Sequence, residues 1–144
     1  MTTSIATEIA NLLSDRNELV LEYDSNKVLA KKANYEYELN DGIVAVCAEC
    51  KKVQWYQWEI SHVCVHSTME GKGYAKKIIK KCELKAIQNG GRIIQCTIRT
   101  NNSSSIGLFK NMGYKEVNSF YYPKSDNWVY VFQKCVSINQ NTKS

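Results

Sequence analysis

The alternation of apolar and polar residues changes period twice along the chain, and those changes mark out its elements. Ile5, Ile9, Leu12 and Leu13 recur at helical spacing and predict a first helix, followed by a short strand over 18–23 and a helix near 27–33. From Asn34 the period falls to two. Tyr35, Tyr37 and Leu39 alternate with polar residues, Asn40-Asp41-Gly42 supplies a turn, and 43–50 returns, so an antiparallel hairpin is expected. A third strand over 54–65 carries Trp55, Tyr56, Trp58, Ile60, Val63 and Val65 and runs directly into a loop containing Gly71 and Gly73. Beyond the loop the helical period resumes. Ala75, Ile78, Ile79, Cys82 and Ala86 form one apolar stripe, Lys76, Lys77, Lys80, Lys81 and Lys85 cover the outer face, and Asn89-Gly90-Gly91 stops the helix. A strand over 93–98 follows a crossover helix and should therefore lie parallel to its predecessor, with a right-handed connection. Asn101 to Ser105 reads as the cap of a short helix that runs through Met112 and ends at Gly113. Two last strands, 114–121 and 128–133, are joined by 123–127, and 137–144 reads as a disordered tail.

This order predicts an α/β (α+β) fold with a mixed central sheet of about six to seven strands flanked by helices. A chain of 144 residues, 44% hydrophobic, is enough for one core, so one domain over 1–136 is expected. No apolar run reaches the roughly 20 residues needed to cross a bilayer, and the first residues lack the basic and apolar regions of a secretory leader. A soluble, cytoplasmic protein without a membrane partner is the expectation. Most of the six cysteines lie in apolar runs and read as reduced thiols. Cys47 and Cys50 have zinc-like spacing, but no second pair follows at a suitable distance, so no metal is expected. The net charge of +5 suits an anionic cofactor, an acidic protein or nucleic acid without choosing among them.

The chemistry concentrates in the strand, loop and helix around Gly71 and Gly73. A glycine loop opening a helix can set several backbone N–H groups and the positive end of the helix dipole around a phosphate, and Lys72, Lys76 and Lys77 add charge. The loop is not a Walker loop, since no Gly-Lys-Ser/Thr stands at the required spacing, and two glycines do not make a dinucleotide fingerprint. The same two glycines also serve as a plain tight turn.

Two motifs in order carry a resemblance to the GNAT superfamily of N-acetyltransferases. The family's Arg/Gln-x-x-Gly-x-Gly/Ala is similar to Glu70-Gly71-Lys72-Gly73-Tyr74-Ala75, with Gly73 and Ala75 matching and Glu70 standing where the family has Arg or Gln. The family's Asn-x-x-Ala/Ser-x-x-Leu-Tyr-x-x-x-Gly-Phe is similar to the run from Asn102 to Tyr114, with Phe109 in place of the tyrosine. The resemblance spans about Tyr35 to Lys134 and implies the GNAT fold, with acetyl-CoA as acyl donor. It implies that the backbone of Val63, Cys64 and Val65 bonds the pantetheine arm like an added strand, and that N–H groups from Gly71 to Lys76 hold the pyrophosphate. It further implies that Asn102, Ser105, Phe109 and Lys110 flank the thioester and the rest of the arm.

Acyl transfer to an amine needs a neutral amine, a polarised thioester carbonyl and a proton for the departing thiolate. Glu59 stands where histone-acetyltransferase-type members of the family place a base, and it also reads as a solvent-facing strand carboxylate. His62 and His66 are further groups that titrate near neutrality, His62 being the better placed. Phe109 cannot protonate a thiolate, which moves that role to Tyr121, Tyr122 or water. Trp55, Trp58, Tyr121 and Tyr122 read as core or as an acceptor groove. The function expected is acetyl transfer to a primary amine of a small molecule or protein in a ternary complex. The alternatives are a nucleic-acid-modifying relative and a silent acyl-CoA-binding module. The terminal hairpin also offers an edge strand for a homodimer.

Overall fold

The computed structural model describes residues 1–16 and 24–136, so the strand expected over 18–23 and the tail 137–144 lie outside the described residues. Its helices are α1 (Thr3–Arg16), α2 (Ser25–Ala30), α3 (Tyr74–Gln88) and α4 (Ser103–Asn111). Its strands are β1 (Tyr35–Asn40), β2 (Ile43–Lys52), β3 (Gln57–Val65), β4 (Ile93–Arg99), β5 (Lys115–Tyr122) and β6 (Asn127–Cys135). They form one six-stranded mixed sheet in the order β1-β2-β3-β4-β6-β5. The chain divides into two compact units, Met1–Cys50 with Ser61–Cys82 and Lys51–Ile60 with Glu83–Ser144.

In the first unit, capping side chains set the helix starts. Thr2 Oγ1 accepts from the Ile5 N–H at 3.1 Å and Asp24 Oδ1 from the Lys27 N–H at 2.9 Å. The β1–β2 hairpin turns at Asp41 and Gly42, whose φ values of 51° and 78° are both left-handed, as a two-residue turn of this hand requires. Ile9 and Leu13 of α1, Val28 of α2, and Tyr35, Val44, Cys47 and Cys64 of the strands bury one another in a single apolar cluster. Lys81 departs from the outer lysine face of α3. Its Nζ donates to the Tyr37 carbonyl at 2.9 Å and lies 3.5 Å from Glu38 and 3.8 Å from Glu36, which ties the helix to β1.

The second unit is organised by β4. Gln57, Trp58 and Glu59 of β3 run parallel to Ile93, Ile94 and Gln95, and β6 runs antiparallel along β4 from Ile93↔Cys135 to Arg99↔Val129. Phe132 is fully buried. Glu83 is a buried acid whose Oε2 accepts from the Tyr114 hydroxyl at 2.7 Å and from Lys134 Nζ at 3.1 Å. Gly91 is required by crowding, because a Cβ there would stand 2.7 Å from Trp58 Cδ1 and 2.8 Å from the Ala86 carbonyl oxygen. Of the four aromatic residues read as core or groove, only Trp58 is buried. Trp55 is 65% exposed, while Tyr121 and Tyr122 lie on β5, which is exposed along its whole length.

Candidate active site

β3 carries its residues in two stretches. Trp58 and Ile60 are buried and Glu59 is half-buried at the last position of the three-pair ladder with β4. Beyond it, His62 adopts φ 54°, a left-handed conformation inside a strand. Such a residue costs on the order of 1–3 kcal/mol and lets the side-chain alternation slip. After the slip Cys64 joins the cluster beneath α1 and α2. His62 Nε2 lies 3.9 Å from Glu49 Oε2 of β2, the carboxylate being almost wholly buried and the imidazole half-buried.

The turn after β3 is built by His66. Its backbone N–H donates to the Ala45 carbonyl at 2.7 Å, and its Nδ1 accepts from the Thr68 N–H at 3.2 Å, capping a 3-10 turn over Ser67–Met69. His66 is therefore a structural residue of the loop. Asn40 Nδ2 reaches Met69 Sδ at 3.2 Å and pins the same turn to the β1–β2 hairpin. Gly71 and Gly73 follow with φ of 76° and 82°, and no heavy atom lies within 4 Å of the place a Cβ would take on either. The first backbone bond of α3 runs from Lys77 N to the Gly73 carbonyl at 3.1 Å. The first turn of α3 holds no acid, and Lys72, Lys76 and Lys77 are exposed around it. Lys77 Nζ sits 5.9 Å from the centroid of the Tyr74 ring. Within this unit Val63, Cys64 and Val65 lead through the Ser67–Met69 turn into the loop from Glu70 to Lys76.

In the second unit, Asn102 caps α4, its Oδ1 accepting from the Ser105 N–H at 3.2 Å. Ser105 is half-buried and Lys110 exposed. Phe109 is buried edge-on against Tyr114, with ring centroids 5.0 Å apart. Tyr121 donates its hydroxyl to Asp126 Oδ1. That bond holds the phenol above its ordinary range, so Tyr121 keeps its proton at neutral pH.

All six cysteines are free thiols. Cys47 is held well above the usual thiol range, first by the hydrogen bond it shares with Cys64 and then by burial. Burial, followed by the charge of Glu59, pushes Cys96 up to about 12. The thiolate is the reactive species, so the folded chain is expected to take up one equivalent of iodoacetamide, at exposed Cys135, and the remaining five only after unfolding. Peptide mass mapping of the label checks this. Rapid labelling of Cys47 or Cys96 in the folded state contradicts it.

Two buried acids were not singled out as site or core residues in the sequence. Glu49 interrupts the apolar run from Val44 to Cys50, and Glu83 stands in a helix whose other charges are lysines. A lone carboxylate in an apolar strand was the available signal for the first.

A family model described as the acetyltransferase (GNAT) family matches residues 8–114. The chain belongs to that family, and its class of activity is N-acetyl transfer. The fold is shared with solved structures at low identity. Ard1 from Thermoplasma volcanium superimposes with a TM-score of 0.81 at 15% identity, covering 94% of each chain. The ribosomal-protein-alanine N-acetyltransferase from Brucella melitensis gives 0.79 at 16%, covering 94% of this chain and 97% of that one. YncA from Salmonella typhimurium, solved with its cofactor acetyl-CoA, gives 0.79 at 18%, covering 94% and 90%. A comparison with curated protein sequences finds no match. No helix among the described residues is long and apolar enough to cross a membrane.

Proposed function

We propose that the chain transfers an acetyl group from acetyl-CoA to a primary amine of a small molecule or protein, by direct attack of the amine within a ternary complex. The observation that carries this reading is the loop: two left-handed glycines with open space over both open an acid-free helix turn beside exposed lysines. That arrangement fits a pyrophosphate, because backbone N–H groups at a helix start have no partners within the helix and the dipole there favours an anion. Glycine leaves the anion's approach free of side chains. Val63, Cys64 and Val65 extend β3 past the end of its ladder with β4, which suits a peptide-like arm laid along that backbone. Asn102, Ser105 and Lys110 are assigned to the rest of the arm.

In the reaction the amine nitrogen bonds to the thioester carbonyl carbon, the carbon–sulfur bond breaks, and the thiolate leaves with the electron pair. A base on β3, Glu59 or His62, takes the amine proton. Phe109 cannot return one to sulfur, so Tyr121, which holds its proton, or water fills that role.

The test is calorimetric titration of the purified chain with acetyl-CoA, alongside thiol release against a panel of amines, peptides and DNA. Binding with amine-dependent thiol release supports the proposal and names the acceptor class. Binding without turnover on any acceptor points to a silent module, and absence of binding removes the assignment of the loop.

A further inference from the structure

Resting on that reading, we infer that His62 is the base that takes the amine proton, and that Glu49, buried behind it on β2, is the residue that positions it. The two side chains differ in access in the way this division of labour needs. The imidazole is 27% exposed and the carboxylate 6%, with 3.9 Å between Nε2 and Oε2. The ring is open to a substrate amine, while the acid is almost wholly covered.

Three features converge on the pair. A carboxylate set in the apolar run of β2 is costly unless a cation faces it, and the imidazolium is the cation that His62 becomes on accepting a proton. Glu49 therefore faces the positive charge that the ring takes on with the proton, 3.9 Å from Nε2. The backbone of His62 is left-handed, at φ 54°, where asparagine or glycine is the relaxed choice. Left-handed non-glycine residues gather at functional sites because the surrounding structure must enforce them. Finally, the sheet fixes the position of the pair. His66 bonds Ala45 and Cys64 bonds Cys47, so each step of two along β2 matches a step of two back along β3, and the next step brings Glu49 to His62. A site held by paired strands keeps its geometry better than one held by a loop.

The groups around the ring are consistent with that role. Glu49 faces it from β2, and the thiols of Cys47 and Cys64 stand two residues along. α1 and α2 contribute Ile9, Leu13 and Val28, all apolar, to the cluster below. Along β3 the other titratable residues are Glu59 and Cys64, and His66, just past its end, holds Thr68 through Nδ1. In the step itself the ring nitrogen takes the proton as the amine nitrogen closes on the carbonyl carbon. The imidazolium then releases it to water, and no further reactant is needed.

The experiment compares the pH dependence of kcat/KM for the amine in the wild type, His62→Asn, Glu49→Gln and Glu59→Gln, with acetyl-CoA affinity and thermal melting measured for each. Asparagine tolerates a left-handed backbone, so His62→Asn removes the base without straining the strand. It is expected to lower kcat at least about a hundredfold with acetyl-CoA affinity and melting preserved. Glu49→Gln is expected to move the acid limb of the profile to lower pH, because the carboxylate that faces the protonated ring is gone. Turnover that survives His62→Asn overturns the assignment of the base. A limb that follows Glu59→Gln instead of Glu49→Gln, or a Glu49→Gln chain that melts early with its limb unmoved, overturns the pairing. A wild type that binds acetyl-CoA but acetylates no amine refutes the acetyl-transfer reading itself, before any variant is compared.

Discussion

Gly73→Val is expected to weaken acetyl-CoA binding by about a hundredfold while the chain stays folded. Gly73 sits at φ 82° with nothing within 4 Å of where a Cβ would stand, so the substitution meets no neighbour and acts through the backbone alone. A β-branched residue at that φ is a strong outlier, and the peptide on either side must rotate to relieve it, turning its N–H away from the anion. Losing two charge-assisted hydrogen bonds at about 1.5 kcal/mol each corresponds to roughly a hundredfold in Kd. Gly90→Val is the matched control: Gly90 ends α3 at φ 83°, also with open space around it, and carries the same backbone cost away from the loop. Calorimetry on both variants decides the matter. Equal losses of affinity mean that backbone strain anywhere suffices and the loop has no particular role.

Glu83→Ala is expected to destabilise the chain by about 3 kcal/mol, because it removes the buried oxygen to which the Lys134 ammonium and the Tyr114 hydroxyl both donate. Tyr114 is buried and Lys134 partly so, and both donate to the same oxygen, at 2.7 and 3.1 Å. Breaking one partner out of such a group costs far more than replacing the whole group with apolar residues of similar size. The combined change Glu83→Leu, Tyr114→Phe and Lys134→Met should therefore melt within a few degrees of the wild type, whereas Glu83→Ala alone should melt roughly 10 °C lower. Urea unfolding of both variants measures the difference. A loss below about 1 kcal/mol for Glu83→Ala means that water already solvates these groups.

Elements whose burial follows from their own period were legible in the sequence. The stripe Ile78, Ile79, Cys82 and Ala86 is the buried face of α3, and the alternation at Tyr35 and Tyr37 is β1. The glycine loop, the Asn102 cap and the parallel placement of β4 were legible for the same local reasons. β3 starts at Gln57 and not at Gln54, because Val53 and Gln54 bond the Gln57 carbonyl and close a turn there. The aromatic residues Trp55 and Tyr56 gave that turn the composition of a strand. Tyr114 similarly reads as strand by composition, yet its N–H bonds the Phe109 carbonyl and closes the end of α4.

What stayed hidden was tertiary. The burial of Glu49 and Glu83 depends on strands and helices far away in sequence, and Lys81 looks like any other lysine of an amphipathic helix until β1 lies beside it. The left-handed turn at His62 leaves no mark on composition at all, since histidine is ordinary in strands and no glycine announces the slip. For the candidate site this means that the glycine loop was readable from local chemistry, whereas the juxtaposition of His62 and Glu49 needed the sheet to be assembled first.

β5 has a practical consequence for work at high concentration. All eight of its residues are exposed, Val117, Phe120, Tyr121 and Tyr122 among them, and it ends the sheet with one row of backbone groups facing outward. Such an edge is a template for pairing with another chain, and charges along it are what hold that in check. Here the charged residues, Lys115 and Glu116, stand at one end of the strand, leaving its aromatic end unguarded. Storage in dilute solution at moderate salt, and a watch on light scattering as the protein is concentrated, follow directly from that strand.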